Sequence, residues 1–194
     1  MTGVILCGGK SMRMGADKGL LRLQANTWAQ TAVDKIAVLH LPVFLSVNEK
    51  QYDDYAKIFD ANHLVADDNT LGFSAPLGGL LSVHKQFPAE DLVVLACDMP
   101  LMESSLIREL YDHYQMNKGF DAYIYGNDGE PEPLCGIYTA KGLSSILNML
   151  LAGKLKKYSM KFMLEHLRVL SIPIAEDYKK CFRNFNAHAE LNGL

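Results

Sequence analysis

The sequence predicts an α/β fold, with one doubly wound, mainly parallel sheet and helices on both faces. Three observations predict it. Short apolar, β-rich runs recur along the chain with helical stretches between them. The runs are almost free of polar residues, as strands buried on both faces are. Polar or glycine-rich clusters follow the first four runs, and in such sheets ligands bind beyond the carboxyl ends of the strands.

The first four strands are expected at 4–7, 43–47, 63–65 and 92–96, each a compact run of β-branched or aliphatic residues. Helices are expected at 31–39, 77–84 and 104–114. Ser104 and Ser105 could cap the last of these, after Pro100 ends the preceding strand. Further strands fall at 121–124 and 135–138. Residues 140–151 form a Leu-rich helix with Gly153 as its stop, residues 159–167 another helix, and residues 168–172 a last strand. The polar stretch 127–133, Asn-Asp-Gly-Glu-Pro-Glu-Pro, reads as a hairpin-like arm over the site. The chain shows no internal repeat, low-complexity run or linker, so one domain spanning 1–194 is expected.

Composition narrows the function. The chain has 194 residues, 49% hydrophobic and 21% charged, which suits a globule with a sizeable core. Its net charge of −3 argues against a nucleic-acid coat or a membrane-surface protein, either of which wants a basic face. The four cysteines, Cys7, Cys97, Cys135 and Cys181, form no C-x-x-C pair, so they give a zinc site little support. They read as buried thiols of a reducing compartment. With no signal peptide and no 18-residue apolar run in view, a cytoplasmic location is expected.

The chemistry concentrates in Leu6-Cys7-Gly8-Gly9-Lys10-Ser11-Met12-Arg13-Met14-Gly15-Ala16-Asp17-Lys18. Glycines let backbone N–H groups approach an anion and form a concave nest. Lys10, Arg13 and Lys18 add full positive charges, and an Arg can grip phosphate oxygens with two parallel hydrogen bonds. A nucleoside triphosphate is the natural ligand. The loop is neither a P-loop, since Val4 stands where the first glycine would be, nor a dinucleotide fingerprint, since Lys10 stands where the second would be. Asp98 ends an apolar run, and a carboxylate at a strand tip suits Mg²⁺, which takes one or two carboxylates plus phosphate oxygens and water. Asn48 offers a donor and acceptors for a base or ribose, and Asp67 or Asp68 could accept from guanine N–H groups or ribose hydroxyls. Gly78 and Gly79 allow close backbone approach at the start of a helix. Ser11 has no evident base partner and the histidines lie in scattered contexts, so the residues point to transfer by positioning and charge stabilisation.

The long motif resembles the signature of the molybdenum cofactor guanylyltransferases, a family of nucleotidyltransferases with a Rossmann-like fold. Cys7 replaces the family's usual Ala, and the double glycine after it favours guanine over cytosine. The resemblance recurs at Pro76-Leu77-Gly78-Gly79-Leu80, Cys97-Asp98-Met99-Pro100, Glu132-Pro133-Leu134-Cys135 and Asn184-Phe185-Asn186, and so covers nearly the whole chain. It implies transfer of GMP from GTP to molybdopterin, releasing pyrophosphate and forming molybdopterin guanine dinucleotide. It implies Arg13, Lys18 and Asp98 as catalytic residues, with Mg²⁺ on Asp98. It implies Leu6, Cys7, Gly8, Gly9, Lys18, Asn48, Asp68, Gly78 and Asp98 for GTP, and Asn184 and Asn186 for molybdopterin. Transient contact with molybdoenzymes or other proteins of cofactor biosynthesis follows from the same implication, with no nucleic acid or membrane partner. The family's Thr-Pro after the last asparagine is Ala187-His188 here. Lys156, Lys157 and Lys161 form either a basic rim for the pterin phosphate or a solvated helix face. Two rival readings stay open: another nucleotidyltransferase, using CTP or a sugar phosphate, and a non-catalytic nucleotide-binding regulator.

Overall fold

The structure, a computed structural model, describes residues 1–8, 17–23 and 25–185. Its elements run β1 (Thr2–Leu6), β2 (Arg22–Leu23), β3 (Asn26–Thr27), α1 (Trp28–Ile36), β4 (Val43–Val47), α2 (Glu49–Ala56), β5 (Leu64–Ala66), α3 (Pro76–Gln86) and β6 (Leu92–Ala96). After these come α4 (Ser104–Met116), β7 (Ala122–Asn127), β8 (Glu130–Tyr138), α5 (Ala140–Leu151), α6 (Met160–Leu164) and β9 (Val169–Pro173). Seven strands form one sheet in the order β5-β4-β1-β6-β8-β7-β9, and β2 pairs with β3 in a small separate ribbon. Neighbours pair in parallel except where β8 meets β6 and β7. One reversed strand follows from the chain path, because the tight Asp128-Gly129 turn joins β7 to β8 as a hairpin. Both turn residues hold positive φ, +50° and +86°, as a turn matched to strand twist requires.

Apolar strands need cover on both faces. One core packs the inner residues of α1, α2 and α4 on the sheet, among them Ala32, Ile36, Tyr55, Leu106 and Leu110. The other packs α3, α5 and α6, through Leu77, Leu80, Leu143, Ile146 and Met163. The doubly wound arrangement expected from the sequence is therefore the arrangement found. No helix among the described residues is long and apolar enough to cross a membrane.

Several local expectations need correction. The first helix begins at Trp28 rather than 31, because Thr27 caps it by accepting from the Gln30 amide at 3.1 Å. Ser104 and Ser105 do not cap α4. Glu103 occupies the cap position without a side-chain cap bond, and Ser104 is already helical. The helix expected over 159–167 is only Met160–Leu164, capped by Ser159. The short polar helix α2 is absent from the sequence reading altogether, although Asn48 and Gln51 form a capping box at its start.

Candidate active site

Parallel register carries the site. Leu6 of β1 stands level with Ser46 of β4 and with Ala96 of β6, and the Asp67 amide donates to the Val47 carbonyl at 2.8 Å. Four strands therefore end at one edge, and the residues that follow them meet there. Leu6, Cys7, Gly8, Lys18, Cys97 and Asp98 line one crevice, together with Pro76 at the start of α3 and Leu134 of β8. Pro76 takes the first helical position, where its missing N–H costs nothing, and the Gly78 and Gly79 amides donate to the Ala75 carbonyl at 2.8 and 3.3 Å.

Lys18 and Asp98 are the charged pair of this crevice, with Nζ 3.8 Å from Oδ2. Burial raises the Asp98 carboxyl above its usual range, and Lys18 opposes that shift. The other carboxylate oxygen, Oδ1, is buried without a hydrogen-bond partner among the described residues. An orphaned carboxylate oxygen beside a lysine is a high-energy arrangement unless a cation or donor completes it. This donor set fits a divalent cation that takes one protein carboxylate and draws its other oxygens from phosphate and water. No group of three or more His, Cys, Asp or Glu ligands exists among the described residues.

The two adjacent aspartates face different ways. Asp68 turns outward: it pairs with Lys85 of α3 and accepts from the Thr70 amide and hydroxyl at 2.8 and 2.6 Å. The Lys85 bond holds its carboxyl down at about 2. Asp67 turns inward, against Gly8 at the edge of the crevice. A Cβ on Gly8 would lie 3.3 Å from one of its oxygens, and a Cβ on Gly79 3.3 Å from the other. Burial pushes the Asp67 carboxyl up to about 6, with the Ser46 hydroxyl at 3.2 Å the opposing influence. Gly79 is pressed on the strand ends, where a Cβ would run into the Ser46 hydroxyl. Gly78 faces Phe73, whose carbonyl would lie 3.1 Å from a Cβ.

Asn48 sits at the strand end as expected, but its Oδ1 is engaged in capping α2, accepting from Lys50 and Gln51 amides at 3.0 and 3.1 Å. Asn184 is exposed, and the amide of its neighbour Phe185 donates to the Asp98 carbonyl at 2.9 Å. Lys161 pairs with Glu130 of the hairpin at 2.6 Å, while Lys156 and Lys157 are exposed. Gly9, Lys10, Arg13 and Asn186 lie outside the described residues. Ser46 was not singled out in the sequence, lying inside an apolar run, while Pro76 and Leu134 were read only within the motifs Pro76–Leu80 and Glu132–Cys135, with no role of their own.

Residues 3–169 match the MobA-like NTP transferase domain. A probable molybdenum cofactor guanylyltransferase of Flavobacterium johnsoniae is 31% identical, with 100% of this chain and 96% of that protein aligned. A protein of the same name from a Geobacillus species is 28% identical over 100% of this chain and 97% of its own. Among solved structures, molybdopterin-guanine dinucleotide biosynthesis protein A of Archaeoglobus fulgidus superposes with a TM-score of 0.78 at 23% identity, covering 100% and 96% of the two chains. A 4-diphosphocytidyl-2C-methyl-D-erythritolsynthase from Anaerococcus prevotii shares the fold at a TM-score of 0.71 and 11% identity, covering 99% and 92%. With a domain match over most of its length and a full-length relative above 30% identity, the chain belongs to the MobA-like NTP transferases, the family of the molybdenum cofactor guanylyltransferases.

Proposed function

We propose that the whole chain, 1–194, acts as one nucleotidyltransferase domain, transferring GMP from GTP to molybdopterin in the cytoplasm. The full-length relatives named molybdenum cofactor guanylyltransferase support the reaction. The observation that carries the site assignment is the Lys18–Asp98 pair with its orphaned buried oxygen, at an edge where four strands end.

In this reading an oxygen of the molybdopterin phosphate attacks the α-phosphorus of GTP in line. The bond from that phosphorus to the bridging oxygen breaks, and pyrophosphate leaves. Lys18 holds triphosphate oxygens, joined by Arg13 and by the backbone of Gly8 and Gly9. Asp98 would hold Mg²⁺, which neutralises phosphate charge when bound. The start of α3 at Pro76 brings the positive end of that helix to the same crevice. Asp67, ionised, accepts from guanine N–H groups, and Gly79 clears the approach. Asp68 takes the outer position, fixing the turn after β5. Asn184 and Asn186 contact the pterin, and the product passes to molybdoenzymes through transient contact.

The test is direct. Purified protein, GTP, molybdopterin and Mg²⁺ should release pyrophosphate, and replacing GTP by ATP, CTP or UTP should not. Release with CTP in place of GTP would move the reading to a cytidylyltransferase, and nucleotide binding without release would make the protein a regulator.

A further inference from the structure

Lys18 is only as well placed as the turn it stands on. That turn, Lys18–Leu20, is capped by Asp17, whose Oδ1 accepts from the Gly19 amide at 2.9 Å. A surface Asp cap is ordinarily a local device, finished by water. This one is gripped from behind by helix α2. The Tyr55 hydroxyl donates to the same Oδ1 at 2.8 Å, and the Gln51 side-chain amide donates to Oδ2. That amide also donates to the Cys7 carbonyl at 3.2 Å, and the Gln51 carbonyl oxygen accepts from the Asn48 amide at 3.0 Å. Gln51 thus joins the end of β1, the start of α2 and the base of the lysine turn.

Gln51 and Tyr55 stand one helical turn apart, and both are buried, Tyr55 completely. Burying a polar side chain is costly unless its partners are supplied, and here they converge on one carboxylate. Gly19 records how closely the turn is pressed on the helix: a Cβ there would run into the Tyr55 hydroxyl and come within 3.3 Å of the Cys97 sulfur.

We infer that Gln51 and Tyr55 are positioning residues of the nucleotide site, acting through Asp17 to set the backbone of Lys18 opposite Asp98. The inference rests on the functional reading above. A lysine ammonium on a four-carbon stem finds its target only if its backbone is fixed, and a displacement near 1 Å can cost about 10²-fold in rate. The network therefore matters for the phosphates that Lys18 holds, and not for the base or for molybdopterin.

Tyr55→Phe keeps the ring and deletes one donor, and Gln51→Met keeps most of the volume and deletes the amide. Each should lower kcat/KM for GTP by about tenfold, a partial form of that misplacement effect. The KM for molybdopterin and the affinity for guanosine, which lacks all three phosphates, should stay unchanged. A purely structural role would move GTP and guanosine affinity together, and that result overturns the inference, as do wild-type GTP kinetics in both variants. If Tyr55→Phe does not fold, Gln51→Met decides alone. Wild type is measured alongside. If it uses CTP instead of GTP, the functional reading falls, while the same comparison with CTP and cytidine still decides the network. If it binds no nucleotide, both fall.

Discussion

The Phe185 amide donates to the Asp98 carbonyl oxygen at 2.9 Å, so the C-terminal segment is anchored on the turn that bears the site carboxylate. The Phe185 ring is fully buried, with the Arg183 guanidinium 5.2 Å from its centre. On the other side of this turn the Lys35 ammonium donates to the Pro100 carbonyl at 2.5 Å, and burial lowers that lysine to about 8. The Asp98 turn is therefore clamped by elements more than 80 residues away along the chain in one direction and more than 60 in the other.

Phe185→Ala should remove both the packing and the order of this clamp. Truncating a fully buried Phe costs about 3–5 kcal/mol. Urea unfolding should show a loss of that size. Pyrophosphate release should fall further than the unfolded fraction accounts for. An activity loss that merely tracks the unfolded fraction would mean that the anchor does not tune the site.

Asp98→Asn should separate function from stability. The ionised carboxylate is disfavoured by burial, so a neutral isostere relieves that strain on the fold. Melting temperature should hold or rise. Turnover should drop by roughly 10²-fold or more, the scale of losing one electrostatic stabiliser. Stripping divalent metal from wild type should give a similar loss. Wild-type turnover in the variant at limiting Mg²⁺ would remove Asp98 from the site.

What could be read in the sequence follows from where the signal lay. The strands Val43–Val47 and Leu92–Ala96 were legible because a buried parallel strand must be a short unbroken apolar run. Asp98 was legible because it ends such a run. Helix α2 was not, since Glu-Lys-Gln-Tyr-Asp-Asp-Tyr-Ala is polar throughout and buries only Gln51 and Tyr55. The choice between Asp67 and Asp68 was open for a geometric reason. Successive residues leaving a strand point to opposite sides. Which of them meets the crevice depends on Lys85, 17 residues away on α3, which claims Asp68.

Asp67 should make nucleotide affinity depend on pH. Its carboxyl titrates at about 6, and only the ionised form accepts both guanine donors. GTP affinity should therefore fall as pH drops from 7 to 5. Asp67→Asn should weaken binding at pH 8 by about 10–100-fold, the value of a charge-assisted bond, and flatten the pH profile. The effect on folding has the opposite sign. A carboxyl raised from 3.8 gives stability that is full below that value and lost as pH rises through about 6. Asp67→Asn should thus unfold at higher temperature than wild type at pH 7.5. Calorimetry across the pH range, with melts on both proteins, checks both signs. A wild-type profile that stays flat between pH 5 and 7 would place the base elsewhere.

His84 should set part of the acid limit of the fold. It lies on α3, buried, with Nε2 3.0 Å from the Ser144 hydroxyl of α5. Its Nδ1 has no hydrogen-bond partner among the described residues, so a second proton there would find no acceptor. Burial lowers its pKa from the ordinary 6.5. Folded and unfolded chains are both neutral at this residue above pH 6.5, and its stabilising contribution is intact there. As pH falls below 6.5 the unfolded chain takes up the proton first. Stability then declines, by at most about 1.4 kcal/mol per pH unit, until the folded value is passed. Asp67 gains stability over part of the same range, so a single titration of wild type would mix the two. The difference between wild type and His84→Gln isolates the imidazole, because every other group cancels. Urea unfolding at pH 8, 7, 6 and 5 should give a constant difference between the two proteins at pH 7 and above. It should shrink steadily below pH 6.5, as wild type loses what the variant never had. Parallel curves down to pH 5 would mean that the buried imidazole is protonated at no cost, contrary to its packing between α3 and α5.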